Sequence, residues 1–336
     1  MLRRWMHARE IRHWERDDNR IPRPFDWGLS FIKDHVNGDD PRVVLKKHSK
    51  EILEKSDKFF ALPDVKDYKL QGRHLTWTSV VHTPSIENNT VRAKFFPVDK
   101  KRKKAVLILP HWNANAESYI SLAQLFNRIG LSALRLTLPY HEERRPPELE
   151  RADHLVSSNI GRTLQSMKQA VVDTRAAVRW LKNEGFERVG LIGTSIGSCT
   201  GFLAMAHDQD IDVAVFNHVS GYVADVVWNG LSTRHVREGF GDAVSLEELR
   251  EYWLPISPMA FLPRILKMKQ RPMRFIYGLY DLTFPVDLSR QVINEAKRQG
   301  VKINVSAIPC GHYSLGEKPW VYWDGWKIAS FLKRKL

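Results

Sequence analysis

The chain has 336 residues, 43% of them hydrophobic, which is enough for one large α/β domain or two smaller ones around a sizeable core. Its two cysteines, Cys199 and Cys310, imply no disulfide framework, and neither has a neighbour at metal-ligand spacing, so no metal and no cofactor is expected. A net charge of +14 points to anionic partners and says nothing about fold.

Residues 1–65 read as a helical extension with irregular patches. The basic start, Met1 to His7, is not followed by an apolar stretch, which argues against a secretory leader. No run is long enough to span a bilayer, and a cytoplasmic protein is the expectation. Arg20 to Gly28 carries Pro22 and Pro24 and cannot be regular helix. After the break at Asp39-Asp40-Pro41, a second helix is expected over Val43 to Phe60. This segment has too few apolar positions to hold a core alone, so the main domain is expected over 66–336.

From Tyr68 the pattern changes to strand, with strands expected over His74 to His82 and Val91 to Val98. The basic run Lys100-Lys101-Arg102-Lys103-Lys104 reads as a solvated turn or as an anionic-ligand patch. Ala105 to Leu109 is a buried strand, Glu117 to Arg128 a helix ending at Gly130, and Leu131 to Leu138 the next strand. A polar loop follows over His141 to Ser157, in which His141, Arg144 and Arg145 read as solvated. Ile160, Leu164, Met167, Val171, Thr174, Val178 and Leu181 keep three-four spacing, which predicts one helix over Asn159 to Asn183. Strands are then expected over Arg188 to Gly193, Ile211 to Val219, Met273 to Tyr277 and Ile303 to Ile308. Helices are expected over Ile196 to Ala206, Asp287 to Gln299 and Trp320 to Leu332. This alternation predicts an α/β fold, a mostly parallel central sheet with helices on both faces. The insertion at 220–272 reads as a helical lid. Its large apolar residues (Tyr222, Val226, Val227, Trp228, Leu231, Phe240, Tyr252, Trp253, Leu254, Met259, Phe261 and Leu262) predict an apolar acyl pocket beneath it.

The chemistry centres on Gly193-Thr194-Ser195-Ile196-Gly197, a G-x-S-x-G stretch between a strand and a helix. A serine in so sharp a turn needs small neighbours two residues to either side, which Gly193 and Gly197 provide. Its hydroxyl needs a base, and the base needs an orienting acid, in the chain order Ser, Asp or Glu, His. His312 is the only histidine after Asp281 and sits just past a strand. Asp281 also follows a strand, and its rivals for the acid are Asp225, Asp287 and Glu295. The developing oxyanion needs N–H donors: one from Ile196, a second from the loop Pro110-His111-Trp112-Asn113. Cys199 reads as a small buried apolar residue.

Taken together, Gly193 to Gly197, Asp281 and Gly311-His312 resemble the α/β-hydrolase superfamily over residues 68–336. Pro139-Tyr140-His141-Glu142-Glu143-Arg144-Arg145-Pro146 resembles a loop of the lid-bearing abhydrolase-eighteen branch, some of whose members are linked to lipid ester hydrolysis. That resemblance implies a helical lid, a Ser195–Asp281–His312 triad, and Asn113 as the second oxyanion donor with Trp112 next in line. Where many members have His-Gly, this chain has His111-Trp112.

The leading expectation is a serine hydrolase acting on a small-molecule or lipid carboxylic ester. Acyl transfer, or attack on a thioester or amide, would use the same acyl-enzyme. A non-catalytic binding protein on the same fold is the alternative from another class. Nucleic acid is not an expected partner, because the basic residues are spread along the chain without a recognition motif. Arg3, Arg4, Arg9, Arg12 and Arg16, interleaved with Leu2, Trp5, Met6 and Trp14, fit either peripheral contact with an anionic membrane or a helix packed on the core. The oligomeric state is not legible.

Overall fold

The computed structural model describes residues 1–17, 19–32, 38–99 and 103–336. Lys100, Lys101 and Arg102 of the basic run lie outside the described residues, while Lys103 pairs with Glu187 at the surface.

Three helices open the chain: α1 (Leu2–Trp14), α2 (Pro41–Glu54) and α3 (Ser56–Phe59). Asp40 caps α2 by accepting from the Arg42 N–H, with Pro41 at the first helical position, where no amide partner is lost. The single helix expected over 43–60 breaks at Lys55, which ends α2 and precedes α3.

Strands β1 (Lys69–Gln71), β2 (His74–Thr78) and β3 (Thr90–Phe96) follow, the last stopping where Pro97 would interrupt the ladder. After them come β4 (Lys104–Leu109), α4 (Ile120–Arg128), β5 (Ser132–Leu136), α5 (Ile160–Asn183), β6 (Arg188–Thr194), α6 (Ile196–His207) and β7 (Val213–Asn217). The insertion holds α7 (Val223–Asn229), α8 (Arg234–Phe240), α9 (Leu246–Tyr252) and α10 (Leu262–Lys267). Then β8 (Met273–Gly278), α11 (Val286–Arg298), β9 (Asn304–Ile308) and α12 (Trp320–Lys335) complete the fold. Helix α4 starts later than expected because Tyr119 turns the chain with φ +70°.

The strands form one sheet in the order β1-β2-β3-β5-β4-β6-β7-β8-β9. The pairings from β5 through β4, β6, β7 and β8 to β9 are parallel, and those among β1, β2, β3 and β5 antiparallel. Alternation along the central strands sends side chains to both faces. Leu107, Leu109, Leu191 and Phe216 pack with α5, α6 and the insertion. Val106, Ile108, Ile192 and Val215 pack with α4, α12 and Met6 of α1. Among the described residues no helix is long and apolar enough to cross a membrane.

The loop after β5 departs from its solvated reading. His141 and Arg144 are buried, and of the three only Arg145 is exposed. The Arg144 side chain is fully enclosed and pairs with buried Asp173 of α5 at 2.8 Å. It also donates to the carbonyls of Thr137 and Asn88, while Asp173 accepts from Ser79 Oγ. A buried pair broken on one side leaves an uncompensated charge. Arg144→Met is therefore expected to lower unfolding free energy by about 3–5 kcal/mol in urea titration, and Arg144→Met with Asp173→Leu to recover part of that loss.

Candidate active site

Five parallel strands, β4, β6, β7, β8 and β9, deliver their carboxyl ends to one side of the sheet, where ligands of such sheets bind. The sharpest turn follows β6. Ser195 has φ +58° and ψ −122°, a conformation that costs a non-glycine residue about 1–3 kcal/mol. Two close approaches hold it there. A Cβ on Gly193 would lie 2.1 Å from the Gly197 carbonyl oxygen, and one on Gly197 would lie 2.4 Å from that of Leu109. The start of α6 therefore touches both β6 and the end of β4. The Ser195 N–H donates to the Asn217 carbonyl at 2.8 Å, and Ser198 Oγ donates to the Ser195 carbonyl.

Asp281 follows β8 and is buried. Its Oδ1 accepts from the amides of Thr283 (2.8 Å) and Phe284 (2.7 Å). Its Oδ2 meets His312 Nδ1 at 3.1 Å, so the two residues expected to pair do so. The His312 ring stacks on Phe284, with planes 6° apart. A second imidazole, which sequence reasoning missed, meets the same oxygen: His218 Nδ1 lies 2.5 Å from Oδ2, and the two rings are 4.5 Å apart. Burial alone would push the Asp281 carboxyl up, but the two neighbouring imidazoles outweigh it and hold the group well below the usual range. For His218, burial favours the neutral ring, and the charge and hydrogen bond of Asp281 outweigh it, so its pKa is raised. Of the rival acids, Asp225 is buried against Arg250 at 2.6 Å, and Asp287 and Glu295 lie on α11, with Glu295 paired to Arg298.

Among the described residues neither Ser195 Oγ nor His312 Nε2 has a hydrogen-bond partner, and both residues line one cavity of about 1070 Å³. The backbone amides of Ile196 and Trp112 also lack an acceptor and belong to residues lining this cavity. Asn113, expected to supply an oxyanion donor, is committed elsewhere. Its N–H donates to His141 Nε2 at 2.8 Å, and its side-chain oxygen accepts from the Ala152 N–H. Burial pushes His141 down to about 3, and its Nδ1 faces the Pro139 carbonyl, so a neutral ring offers Nε2 as the acceptor. Asn113 also takes φ +61°, which asparagine tolerates better than most residues. The bulky Trp112 fits because its indole N–H donates to the Ala152 carbonyl and its ring stacks on His235 of α8.

One part of the cavity lies under the insertion, against Val223, Val226 and Val227, and another lies between α4 and α12, against Leu122, Leu125, Ile129 and Ile328. Of the insertion's apolar residues, Val226 and Val227 line the cavity, while Phe240, Trp253, Phe261 and Leu262 are spent in the core. At the inner wall, Asn217 donates to Asp324 at 2.7 Å, and burial pushes the Asp324 carboxyl up to about 7. His218, Asp281 and His312 are the one group of three or more His, Cys, Asp or Glu side chains among the described residues whose nitrogen and oxygen atoms fall within 4.8 Å of one another. Their ring nitrogens already serve as hydrogen-bond partners of Oδ2, and a metal ion bound there would replace both bonds.

Helix α1 packs on the core, with Met6 and Glu10 buried. The Glu10 side chain accepts from the amides of Tyr313 (2.8 Å) and Ser314 (2.9 Å), the residues just after His312. A Cβ on Gly311 would lie 2.1 Å from the Glu10 carboxyl carbon. Arg9 and His13 both pair with Glu317 past the same loop.

No protein-family model matches the sequence, and no curated protein matches it. Solved structures do. An acylaminoacyl peptidase of Pyrococcus horikoshii superposes with TM-score 0.60 at 14% identity over 86% of this chain and 44% of its own, so this chain spans under half of that protein. An esterase of Pyrococcus furiosus gives 0.52 at 16% identity, over 83% of this chain and 93% of its own. Acetyl xylan esterase 1 of a Thermoanaerobacterium species gives 0.61 at 14% identity, over 88% and 99%. At such identities the likeness is one of fold, and that fold is the α/β-hydrolase fold.

Glu10→Ala leaves two amides of the His312 loop without their acceptor. The expected outcome is a loss of about 1–3 kcal/mol in stability, with hydrogen exchange at Tyr313 and Ser314 accelerated more than at the strand amides of β6.

Proposed function

We propose that this chain is a serine hydrolase that cleaves a carboxylic ester through an acyl-enzyme on Ser195. The observation that carries the reading is a serine on a strained strand-to-helix turn that shares one cavity with an imidazole paired to a buried carboxylate. A serine hydroxyl is a weak nucleophile near neutral pH. In the proposed reaction His312 Nε2 takes the Ser195 proton as Oγ attacks the ester carbonyl, and Asp281 orients the ring and stabilises its cation. The oxyanion draws on the N–H groups of Ile196 and Trp112, which have no other acceptor among the described residues, in place of Asn113. His312 then returns the proton to the departing alcohol, and water releases the acyl group by the same route. The peptidase and esterase names of the structural neighbours fit acyl chemistry of this kind.

In this reading the insertion at 220–272 acts as the lid, and the apolar walls of the cavity receive the acyl chain. Contact with an anionic lipid surface belongs to the same proposal: Arg3, Arg4, Arg12 and Arg16 are exposed on or just after α1 beside Leu2 and Trp5.

Labelling by a fluorophosphonate probe, read as an intact-mass shift, tests the reading directly: a shift in the parent protein that is absent in Ser195→Ala supports it, and no shift in the parent overturns it. Ser195→Ala and His312→Ala are each expected to lower ester turnover by about three or more orders of magnitude, and the double variant by little more, because such residues act as a unit. Across p-nitrophenyl esters, kcat/KM is expected to rise about tenfold or more from acetate to hexanoate as methylenes enter the apolar wall. A steady fall with chain length would make this a small-ester enzyme. Co-sedimentation with anionic but not neutral vesicles, lost at high salt, checks the surface contact.

A further inference from the structure

We infer that His218 is a positioning residue of this site, a second imidazole that divides the Asp281 carboxylate with His312 and limits how much of its charge His312 receives. The inference rests on the hydrolase reading above and names a regulation of that same centre.

The geometry begins with the backbone. His218 follows β7, and its N–H donates to the Ile276 carbonyl at 2.9 Å, one step past the last paired residue of the strand. It takes φ +53°, a left-handed conformation uncommon outside glycine, and its ring lies against the triad carboxylate. Asp281 Oδ1 is already occupied by the Thr283 and Phe284 amides. Only Oδ2 remains for imidazoles, and His218 is the closer claimant, 2.5 Å against 3.1 Å for His312. Each ring must present Nδ1–H to that oxygen, so one negative charge serves two donors. Among the described residues the buried Nε2 of His218 has no hydrogen-bond partner, so its bond to Oδ2 is the one hydrogen bond the ring makes.

The surroundings of His218 decide what its protonation does. Asp281 reaches it from the loop after β8, His312 from the loop after β9, Asp324 from α12, Glu10 from α1 and His111 from the loop after β4. The carboxylates favour a proton on His218 despite burial. Once that proton is bound, Asp281 is neutralised by the nearer ring. The cation that must form on His312 during attack then lies beside a like charge, with ring centres 4.5 Å apart. Protonating His218 therefore slows Ser195 without blocking it, and deprotonating it restores the full carboxylate to His312.

The test is the rate of Ser195 labelling by a fluorophosphonate between pH 5 and 9, in the parent protein, His218→Asn and His218→Ala, with melting temperature as the folding control. Asparagine tolerates the left-handed backbone and keeps an N–H near the position of Nδ1, but does not titrate. In the parent, the rate should fall toward acid in two steps, separated by a shelf at about a tenth to a third of the alkaline plateau. His218→Asn should keep an alkaline plateau within about threefold of the parent and fall in a single step. His218→Ala should also lose the shelf, with a plateau no lower than that of His218→Asn, because Oδ2 is then left to His312 alone. If the Asn and Ala profiles superimpose on the parent after scaling, His218 is only structural and the inference is overturned. If the parent is not labelled at any pH, the hydrolase reading itself fails, which separates the two outcomes.

Discussion

The first turn of α6 lies so close to the ends of β4 and β6 that no Cβ fits at Gly193 or Gly197. The geometry of the serine turn hangs on that contact. It forces Ser195 into its left-handed turn, leaves the Ile196 N–H without an acceptor among the described residues, and aims the helix N-terminus at the same space. The strain is met by neighbours already committed to the sheet: the Ser195 N–H bonds the Asn217 carbonyl, and Ser198 Oγ bridges the carbonyls of Ser195 and His218. Through these bonds the end of β7 is tied to the serine turn, and the residue at that end is the one that reaches across to Asp281.

Polar groups around the site are held in place by burial more than by exposed ion pairs. Asp281 is fixed by two amides before any imidazole meets it. His141 stays neutral through burial and so can accept the Asn113 N–H, which pins the loop bearing Trp112. Glu10 does the equivalent for the loop bearing His312. Each support is a side chain bonded to backbone amides, the kind of bond that sets the path of a loop without constraining the side chains that face the cavity.

Much of the fold was legible because periodicity reports burial. The three-four spacing from Ile160 to Leu181 marked α5, and the unbroken apolar strands marked a sheet covered on both faces. Gly193, Ser195 and Gly197 were legible because their spacing is a steric requirement local to a few residues. The pairing of Asp281 with His312 was legible because chain order restricts which residues can meet at the strand ends. What escaped depends on distant partners. His218 looked like the interior of a strand, and only the positive φ after Asn217 and the carboxylate 63 residues away give it a role. Arg144 looked solvated because a charged residue in a polar loop normally is, and its partner Asp173 lies inside a helix whose apolar stripe hides it. Asn113 was assigned by analogy with a loop whose path here is set by His141.

The support of the His312 loop by α1 has a consequence for how the chain comes together. Glu10 and Tyr313 are 303 residues apart in sequence. In synthesis the carboxyl that will hold the histidine loop is made 303 residues before the amide it bonds, and it stays without that partner until the residues between have emerged. Closing so wide a loop is entropically slow and becomes worthwhile only once the sheet between has formed. The serine turn, built from elements that lie between β4 and β7, closes a much shorter stretch of chain and can form well before that. The Ser195 turn is thus shaped early and the His312 loop is secured last, so a half-made or clipped chain carries a formed serine turn without a firmly held histidine.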